Sequence, residues 1–346
     1  MIQVKARATA GPHQPFTPTT IARREPGPRD VLIDIAYAGI CHSDIEHAHS
    51  TRGKTIYPLV PGHEMAGLVA AVGAKVQRFR VGDRVGVGNM VDACRECDHC
   101  RAGLEQYCTG GRTLAYNAIG RDGQPTYGGY SQQIVVDEAF VVRIPDTIRL
   151  QNAAPLLCAG ITMYSPLKHW RAGPGRRVAI LGFGGLGHVG VQMAHAMGAH
   201  TTVIDLSPAK RADAMRLGAD DFRLGNDPHA LTECAGSFDL IISTVPVSVD
   251  LDAYLRLLTL DGTFVNLAVT GKPMMISAEL LLANRRSIAG SRSGGLAETQ
   301  EMLDFCAAHG LGAEVELISA SGIDDAYQRL LGGDVRFRFV IDNATL

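Results

Sequence analysis

The chain has 346 residues, of which 46% are hydrophobic and 20% charged, and a formal net charge of −2. This length exceeds the size at which one hydrophobic core usually stops growing, so we expect a globular protein of two domains. The near-neutral charge gives no reason to expect a nucleic acid or an anionic membrane as partner, and no apolar run is long enough to cross a bilayer. The start, MIQVKARATAG, lacks the apolar stretch of a signal peptide, which predicts a cytoplasmic location with reduced thiols.

The first 150 residues are rich in glycine, proline and short β-type runs. The clearest strand signals, each bounded by turn residues, are VLIDIAYAG, MAGLVAAVG, DRVGVG and SQQIVVD. Few segments here have helical periodicity. We therefore predict that this part of the chain is mainly β.

From about residue 165 strands and helices alternate. The buried-strand run RRVAILGF precedes GGLGHVGVQMAHAMG, where apolar residues recur at helical spacing, namely Leu186, Val189, Met193 and Met197. HTTVID is the next strand, and SPAKRADAMRLG is a helix with Ser207 at its start and Pro208 at its first position. The alternation continues through FDLIISTV, DLDAYLRLL, GTFVNLAV and RRSIAG. This order predicts a doubly wound domain, whose parallel sheet is covered on both faces.

The closing segment contains the helix LAETQEMLDFCAAHG, followed by EVELIS, IDDAYQRLL and VRFRFVID. We expect it to rejoin the first, mainly β part of the chain.

A glycine pattern lies between the first strand and helix of the alternating region. Gly182, Gly184 and Gly187 form G-x-G-x-x-G, which permits a tight turn and lets a pyrophosphate approach the helix N-terminus. Asp205 ends the next strand, where a carboxylate binds the adenosine ribose and repels a 2′-phosphate, so the pattern favours NAD over NADP. Lys210 and Arg211 lie nearby, and either could attract a phosphate. The alternative is a ligand-free layer whose glycines only allow close packing.

Four cysteines fall within one short segment with the spacing C-x2-C-x2-C-x7-C, at Cys94, Cys97, Cys100 and Cys108. Four thiolates complete a tetrahedral zinc site that leaves no position open for a substrate. An iron–sulfur cluster is the competing interpretation, although such motifs usually carry a proline after the final cysteine. We interpret His99, inside this segment, as a solvated loop residue.

The motifs GICHSD, PGHE, the four-cysteine segment, LLCAGIT and GFGGLG occur in the order found in zinc-dependent medium-chain alcohol dehydrogenases, and the chain most resembles their cinnamyl-alcohol-dehydrogenase-like branch. The resemblance covers essentially the whole chain. It implies an α/β protein with a GroES-like, mainly β catalytic domain at residues 1–152 and 291–346, including a structural-zinc lobe at 91–112. It also implies a Rossmann coenzyme domain at residues 153–290, and a cleft between the two domains.

The resemblance implies two zinc ions per chain, one catalytic and one structural. By position, the catalytic ligands are Cys41, His63 and Cys158, a set that leaves one coordination position open. Glu64 matches a glutamate that approaches the metal when neither substrate nor water is bound. Asp44 matches a carboxylate that orients the ligating imidazole.

The implied activity is reversible hydride transfer between an alcohol and a nicotinamide cofactor, with zinc as Lewis acid. Ser43 matches the hydroxyl that starts the proton relay, His42 a position near the coenzyme pyrophosphate, and Thr162 a nicotinamide contact. The expected coenzyme contacts also include Gly182, Gly184, Gly185, Leu186, Gly187, Asp205 and Lys210.

Two positions depart from the branch. Glu46 stands where the relay usually ends in a histidine; it could itself exchange the proton with water, or the relay could pass to His47 or His49, which we otherwise interpret as solvated loop residues. Asp205 stands where the branch has small hydroxyl residues and uses NADP. Because an acid repels the 2′-phosphate, we predict NAD.

We therefore predict an alcohol dehydrogenase or aldehyde reductase that acts on primary aliphatic or aromatic alcohols. The alternatives are an NADP-linked cinnamyl-alcohol-type reductase, a polyol or secondary-alcohol dehydrogenase, and a catalytically silent zinc- and dinucleotide-binding redox sensor. We expect a small-molecule substrate, no nucleic acid or membrane partner, and a homodimer, with a homotetramer possible. The substrate pocket is expected to be lined by loops around Met90, Tyr116 and Ser291.

Overall fold

The computed structural model describes residues 1–346. Internal contacts divide the chain into two units, the first formed by Met1–Ile161 with Gly294–Leu346 and the second by Thr162–Ser293. The first boundary lies later than the predicted one at residue 152, because the helix Ala159–His169 contains the point of division. None of the helices combines the length and the apolar character that crossing a bilayer requires.

Strands dominate the part of the first unit that precedes the boundary. They are β1 (Ile2–Ala8), β2 (Thr17–Arg23), β3 (Asp30–Gly39), β4 (Met65–Val72), β5 (Arg84–Val87), β6 (Met90–Asp92), β7 (Thr113–Leu114), β8 (Gln133–Asp137) and β9 (Val142–Arg143). The helices are α1 (His42–Ala48), α2 (Asp98–Arg101), α3 (Leu150–Ala153) and α4 (Ala159–His169).

The second unit contains the six strands β10 (Arg177–Leu181), β11 (His200–Asp205), β12 (Asp221–Leu224), β13 (Phe238–Ser243), β14 (Leu258–Asn266) and β15 (Ser287–Gly290). Its helices after α4 are α5 (Gly187–Ala196), α6 (Arg211–Arg216), α7 (Pro228–Thr232), α8 (Leu251–Leu255) and α9 (Ala278–Ala283). The chain then completes the first unit with α10 (Leu296–His309), β16 (Val315–Ser319), α11 (Ile323–Leu331) and β17 (Arg338–Asp342).

The first unit is built around a seven-stranded sheet in which β3 is central. β3 pairs antiparallel with β4, β8 and β17, and β16 extends the sheet through a parallel pair with β17. β1 and β2 form a separate antiparallel hairpin. The closing segment of the chain therefore does rejoin the mainly β unit, since β17 pairs with β3. Two buried clusters flank the sheet, one containing Tyr130 and Phe339 and the other Ile33 and Phe140.

The second unit has a six-stranded sheet in the order β12-β11-β10-β13-β14-β15, and every neighbouring pair is parallel. The order runs outward in both directions from β10, which is the doubly wound Rossmann arrangement. β10 and β13 are nearly continuous apolar runs because both faces of a parallel sheet are covered; in β10 only Arg177 is exposed. The fold class predicted from the sequence, a mainly β unit with a doubly wound parallel one, is confirmed.

One predicted helix start differs in the structure. The α-helix of SPAKRADAMRLG begins at Arg211, after a 3₁₀ turn at Pro208–Lys210, and the Ser207 side chain makes no capping hydrogen bond. Instead, the Ser207 backbone N–H donates to Asp205 Oδ1 at 3.0 Å. The segment is thus tied to the end of β11 rather than capped as a helix.

Candidate active site

Three element ends of the first unit carry the residues predicted to bind the catalytic metal. Cys41 directly precedes α1, two residues after β3 ends, and His63 and Glu64 directly precede β4. Cys158 lies between a 3₁₀ turn and α4. Cys41, His63 and Glu64 are buried. Because β3 and β4 pair antiparallel, with Ala38 opposite Met65, the end of one strand lies beside the start of the other.

The side chains of these residues converge. Cys41 Sγ lies 3.9 Å from Cys158 Sγ, and His63 Nε2 lies 3.2 Å from the same Cys158 sulfur. One donor atom from each of Cys41, His63, Glu64 and Cys158 lies within 4.8 Å of the others. The hydrogen bond with Cys158 is the main cause that lowers the pKa of the Cys41 thiol well below its usual value. Two sulfurs, an imidazole nitrogen and a carboxylate form a donor set that fits zinc.

Glu64 is held beside this group by a buried ion pair. Arg338 in β17 contacts Glu64 Oε1, and both side chains are almost fully buried. The other carboxylate oxygen, Oε2, has no hydrogen-bond partner, and burial raises the pKa of Glu64 to about 7. A Cβ at position 39 would overlap this carboxylate, so Gly39 leaves the space that it occupies. An unpartnered buried oxygen beside two thiols and an imidazole fits a cation site.

Asp44 connects α1 to the imidazole. Its Oδ2 accepts a hydrogen bond from the Cys41 backbone N–H at 2.9 Å, and its Oδ1 lies 3.2 Å from His63 Nδ1. Asp44 is fully buried. With Nδ1 held by Asp44, the other ring nitrogen of His63, Nε2, faces Cys158; the role predicted for Asp44 toward a metal ligand stays a prediction.

The remaining polar residues of the GICHSDIEHAHS stretch point in different directions. Ser43 Oγ lies 3.2 Å from Cys41 Sγ, next to the convergent donors. Glu46 Oε2 lies 3.0 Å from the Arg52 guanidinium, and His42 is exposed. His49 caps the end of α1, and its ring lies 4.1 Å from that of His13.

His47 corrects the interpretation of a solvated loop histidine. It lies in α1, and its Nδ1 is 2.9 Å from Asn117 Nδ2. Its ring packs edge-on against Tyr116, whose own ring lies 5.8 Å from that of His63. Tyr116 thus lies beside His63, whereas Met90, the other residue expected to line the substrate pocket, is buried in one of the core clusters.

The four-cysteine segment forms a second convergent group around α2. One sulfur from each of Cys94, Cys97, Cys100 and Cys108 lies within 4.8 Å of the others. The backbone N–H of Cys97 donates to Cys94 Sγ and that of Cys94 to Cys108 Sγ, both at 3.4 Å. Hydrogen bonding from the Cys100 backbone is the first cause that lowers the pKa of Cys97 to about 5. His99 Nδ1 is occupied by the Tyr107 carbonyl at 2.6 Å. A sulfur-only set suits zinc without a substrate position.

The glycine pattern lies at the carboxyl end of β10 in the second unit. Gly182 has a positive φ of 92°, and a Cβ at Gly187 would overlap the Gly182 carbonyl, so the turn requires both glycines. No atom lies within 4 Å of a Cβ built at Gly184, which leaves the turn open for a ligand. Gly185 and Leu186 complete the turn before α5, and Thr162 lies half-buried in α4.

Asp205 closes the turn from the neighbouring strand. Its Oδ2 accepts a hydrogen bond from the Phe183 backbone N–H at 2.7 Å and lies 3.0 Å from Lys210 Nζ. Asp205 and Lys210 were both predicted to contact the coenzyme. In the structure they are in direct contact with each other.

Two residues that contact the site, Arg338 and Tyr130, were not predicted from the sequence. Arg338 is a cation inside the apolar alternation VRFRFVID, and a charge in such a strand was a signal that it faces a buried partner. Tyr130 donates a hydrogen bond to Asp44 Oδ2 at 3.3 Å. No local pattern in the GGYSQQ segment indicates that contact.

Comparison with known proteins identifies both units. Residues 27–146 match the alcohol dehydrogenase GroES-like domain, and residues 185–308 match the zinc-binding dehydrogenase family. The chain is 57% identical over 347 residues to NADP-dependent alcohol dehydrogenase C 1 of Mycolicibacterium smegmatis, covering 100% of this chain and 99% of the relative.

Two solved structures have closely similar folds. A cinnamyl alcohol dehydrogenase from Sorghum bicolor gives a TM-score of 0.96 at 39% identity, covering 99% of this chain and 98% of that one. CAD from Helicobacter pylori, complexed with NADP(H), gives 0.93 at 42% identity, covering 99% of each chain. These similarities confirm the family predicted from the motifs. The chain therefore belongs to the zinc-binding alcohol dehydrogenases, in the branch of the cinnamyl alcohol dehydrogenases and related aldehyde reductases.

Proposed function

We propose that this alcohol dehydrogenase interconverts primary alcohols and their aldehydes, with NAD as cofactor and zinc held by Cys41, His63 and Cys158. The observation that carries the proposal is the convergence of the donor atoms of Cys41, His63, Glu64 and Cys158 within 4.8 Å. Zinc bound there would polarise the substrate oxygen, and the nicotinamide would exchange the hydride. Glu64, the remaining member of the set, would approach the metal only when neither substrate nor water is bound.

Removal of a hydride from an alcohol also releases one proton, which has to leave a buried site. Ser43 Oγ is next to the donor atoms, 3.2 Å from Cys41 Sγ. We propose that this hydroxyl accepts the proton while it passes its own hydrogen onward, so that the serine stays neutral. Glu46 lies one turn further along α1 and is our proposed outlet toward solvent, although its carboxylate is engaged by Arg52. Asp44 holds the His63 ring in place throughout.

The cofactor assignment rests on Asp205. A 2′-phosphate placed at the end of β11 would meet a carboxylate, and like charges in contact cost several kcal/mol. The nearby cation, Lys210, is already paired with that carboxylate. The mycobacterial relative is named NADP-dependent and the Helicobacter structure contains NADP(H), so this chain would differ from both in cofactor preference. We place His42, Thr162 and the glycine turn among the other coenzyme contacts.

The second zinc is proposed for Cys94, Cys97, Cys100 and Cys108, where it would hold the lobe together without contacting substrate. None of the eight cysteines is paired in a disulfide, as is usual in the cytoplasm, where we propose that the protein is located.

We also propose a homodimer formed through the second unit. β15 is an unpaired edge of the parallel sheet. The segment leading into it exposes Met275 at 87% and Leu282 at 81%. An edge strand beside exposed apolar side chains is suited to pairing with a second copy. Light scattering after gel filtration tests this: Leu282→Glu should yield monomers, whereas Val81→Glu, at an exposed apolar residue of the first unit, should not.

The activity is tested with a steady-state panel of primary, secondary and polyol substrates and their carbonyl products, using both cofactors, on protein of measured zinc content. We expect two zinc ions per chain and the highest kcat/KM for primary alcohols or their aldehydes with NAD. Cys158→Ser and Cys94→Ser should each lose one zinc ion, and only Cys158→Ser should abolish turnover directly. Cys306→Ser, a buried thiol outside both groups, is the matched control. Full zinc content with no turnover on any substrate would favour the silent sensor instead.

A further inference from the structure

The fully buried Asp44 carboxylate is surrounded by hydrogen-bond donors. Oδ1 accepts from the Gly62 backbone N–H at 3.3 Å and contacts His63 Nδ1, while Oδ2 accepts from the Cys41 backbone N–H and from Tyr130 at 3.3 Å. An ionised carboxylate offers about four lone-pair sites, so these partners together fix both its position and its rotation. Besides His63, two side chains reach this carboxylate: the Tyr130 hydroxyl donates to it at 3.3 Å, and the Tyr116 hydroxyl is a further hydrogen-bonding neighbour.

Tyr130 is itself tightly held. It is fully buried, and its hydroxyl lies 3.3 Å from that of Tyr327. Because the single Tyr130 hydrogen is directed at an acceptor-only carboxylate, Tyr327 is the donor in the tyrosine pair. Burial and the nearby Asp44 charge raise the pKa of Tyr130 well above its usual value, so the hydroxyl stays protonated and continues to donate.

The backbone places Tyr130 against the segment that carries His63. Gly128 N–H donates to the Val60 carbonyl at 2.7 Å, Gly129 N–H to Gly62 at 2.8 Å and Tyr130 N–H to Pro61 at 3.0 Å. Gly62 has a positive φ of 104°, and a Cβ there would lie 2.7 Å from the Tyr130 ring. These backbone hydrogen bonds fix the position of Tyr130 relative to the segment that carries His63. The Tyr130 hydroxyl therefore points at the Asp44 carboxylate, which in turn contacts the His63 ring.

We propose that Tyr130 is a positioning residue for the catalytic metal site, which acts by locking the Asp44 carboxylate against His63 Nδ1. The inference rests on the proposed assignment of Cys41, His63 and Cys158 as metal ligands. Partners of this kind typically contribute 10- to 100-fold to metal affinity or activity, as a general magnitude. The role is distinct from catalysis, because Tyr130 touches Asp44 and not the reacting atoms.

The test uses the zinc-loaded enzyme and follows metal release to the chromogenic chelator 4-(2-pyridylazo)resorcinol. Cys158→Ser and Cys94→Ser identify which phase of release belongs to each site. In Tyr130→Phe, which keeps the buried ring, we expect the phase assigned to Cys158 to accelerate about 10-fold or more and the phase assigned to Cys94 to keep its wild-type rate. Tyr327→Phe removes a hydroxyl one step further from Asp44, and it should still accelerate the first phase measurably, although by less than about 3-fold.

A spectroscopic measurement separates positioning from general loosening of the fold. After cobalt substitution, Tyr130→Phe should shift the visible bands of the site that contains His63, and Tyr327→Phe should leave them close to wild type. If Tyr130→Phe accelerates both release phases and lowers the melting temperature, the proposal is wrong and Tyr130 has a purely structural role. If Tyr130→Phe changes neither the spectra nor the release rates, the proposal is also wrong. If Tyr130→Phe does not fold, the Tyr327→Phe rate relative to wild type decides, since no acceleration at all contradicts the coupling. If Cys158→Ser removes no phase of zinc release that wild type shows, the proposed metal site at Cys158 is itself wrong.

Discussion

Lys210 Nζ lies 3.0 Å from Asp205 Oδ2, at the end of the second strand of the parallel sheet. The same carboxylate accepts hydrogen bonds from the backbone N–H groups of Phe183 and Ser207. The glycine turn and the segment after β11 are thus both tied to one acid. In the proposed complex the coenzyme ribose would meet this pair, and Lys210 is occupied as long as the acid is present.

Replacement of Asp205 should therefore change the cofactor preference. In Asp205→Ser the repulsive charge disappears and Lys210 becomes available to a 2′-phosphate, so we expect the ratio of kcat/KM for NADP to that for NAD to rise by about 100-fold, or roughly 2.7 kcal/mol. Steady-state kinetics with both cofactors measure the ratio. The double variant Asp205→Ser/Lys210→Met should lose most of the gain. A wild-type enzyme that already prefers NADP would contradict the assignment.

Ser43 is expected to control the rate of the chemical step. Its hydroxyl is next to the proposed metal ligands, and removal of a proton-transfer group typically costs 10²- to 10⁴-fold, so Ser43→Ala should lower kcat by about 100-fold or more. KM should change far less, since the proposed role lies in proton transfer. Ser50→Ala is the control, because that hydroxyl follows the same helix, donates to the Gly53 carbonyl and interacts with Tyr57. Equal rates for the two variants would exclude Ser43 from the relay.

The four-cysteine lobe should contribute stability rather than chemistry. Cys97→Ser is expected to lose one zinc ion and to lower the melting temperature by about 5 °C or more, since each kcal/mol corresponds to about 2–4 °C for a unit of this size. Its remaining folded fraction should retain the wild-type KM for alcohol. Cys234→Ser, which replaces a buried thiol in a core cluster of the second unit, should keep both metals. Metal analysis with thermal unfolding distinguishes these outcomes.

The sequence predicted those parts of the fold that depend on local pattern. β10 and β13 appear as apolar runs, and the G-x-G-x-x-G turn lies between β10 and α5 as expected. Helix α1 was not predicted, because seven residues are too few to show apolar periodicity. Its start is stabilised by Asp44, which accepts a hydrogen bond from the Cys41 backbone N–H. Short helices of this kind depend on tertiary contacts, and these leave little trace in the sequence.

The site was predictable to a different degree. Spacing identifies the group around Cys97, whose members lie close together in the chain. Cys41 and Cys158 are 117 positions apart, and only the resemblance to a family could pair them. The contacts of Tyr130 with Asp44 and of Arg338 with Glu64 could not be predicted, since they join residues 86 and 274 positions apart in the chain.

His47 should make the stability of the first unit dependent on pH. Burial is the main cause that lowers its pKa below 6.5, and the neutral ring can accept the hydrogen bond from Asn117 Nδ2 at 2.9 Å. Between the folded-state pKa and 6.5, the unfolded chain binds more protons than the native state, so this contribution is complete above pH 6.5 and is lost as the pH falls through that window. Wild type should therefore lose stability relative to His47→Gln as the pH falls from 7.5 to 5, because glutamine does not titrate. Denaturant unfolding at each pH measures the difference, and parallel curves for the two proteins would show that His47 is not held in its neutral form.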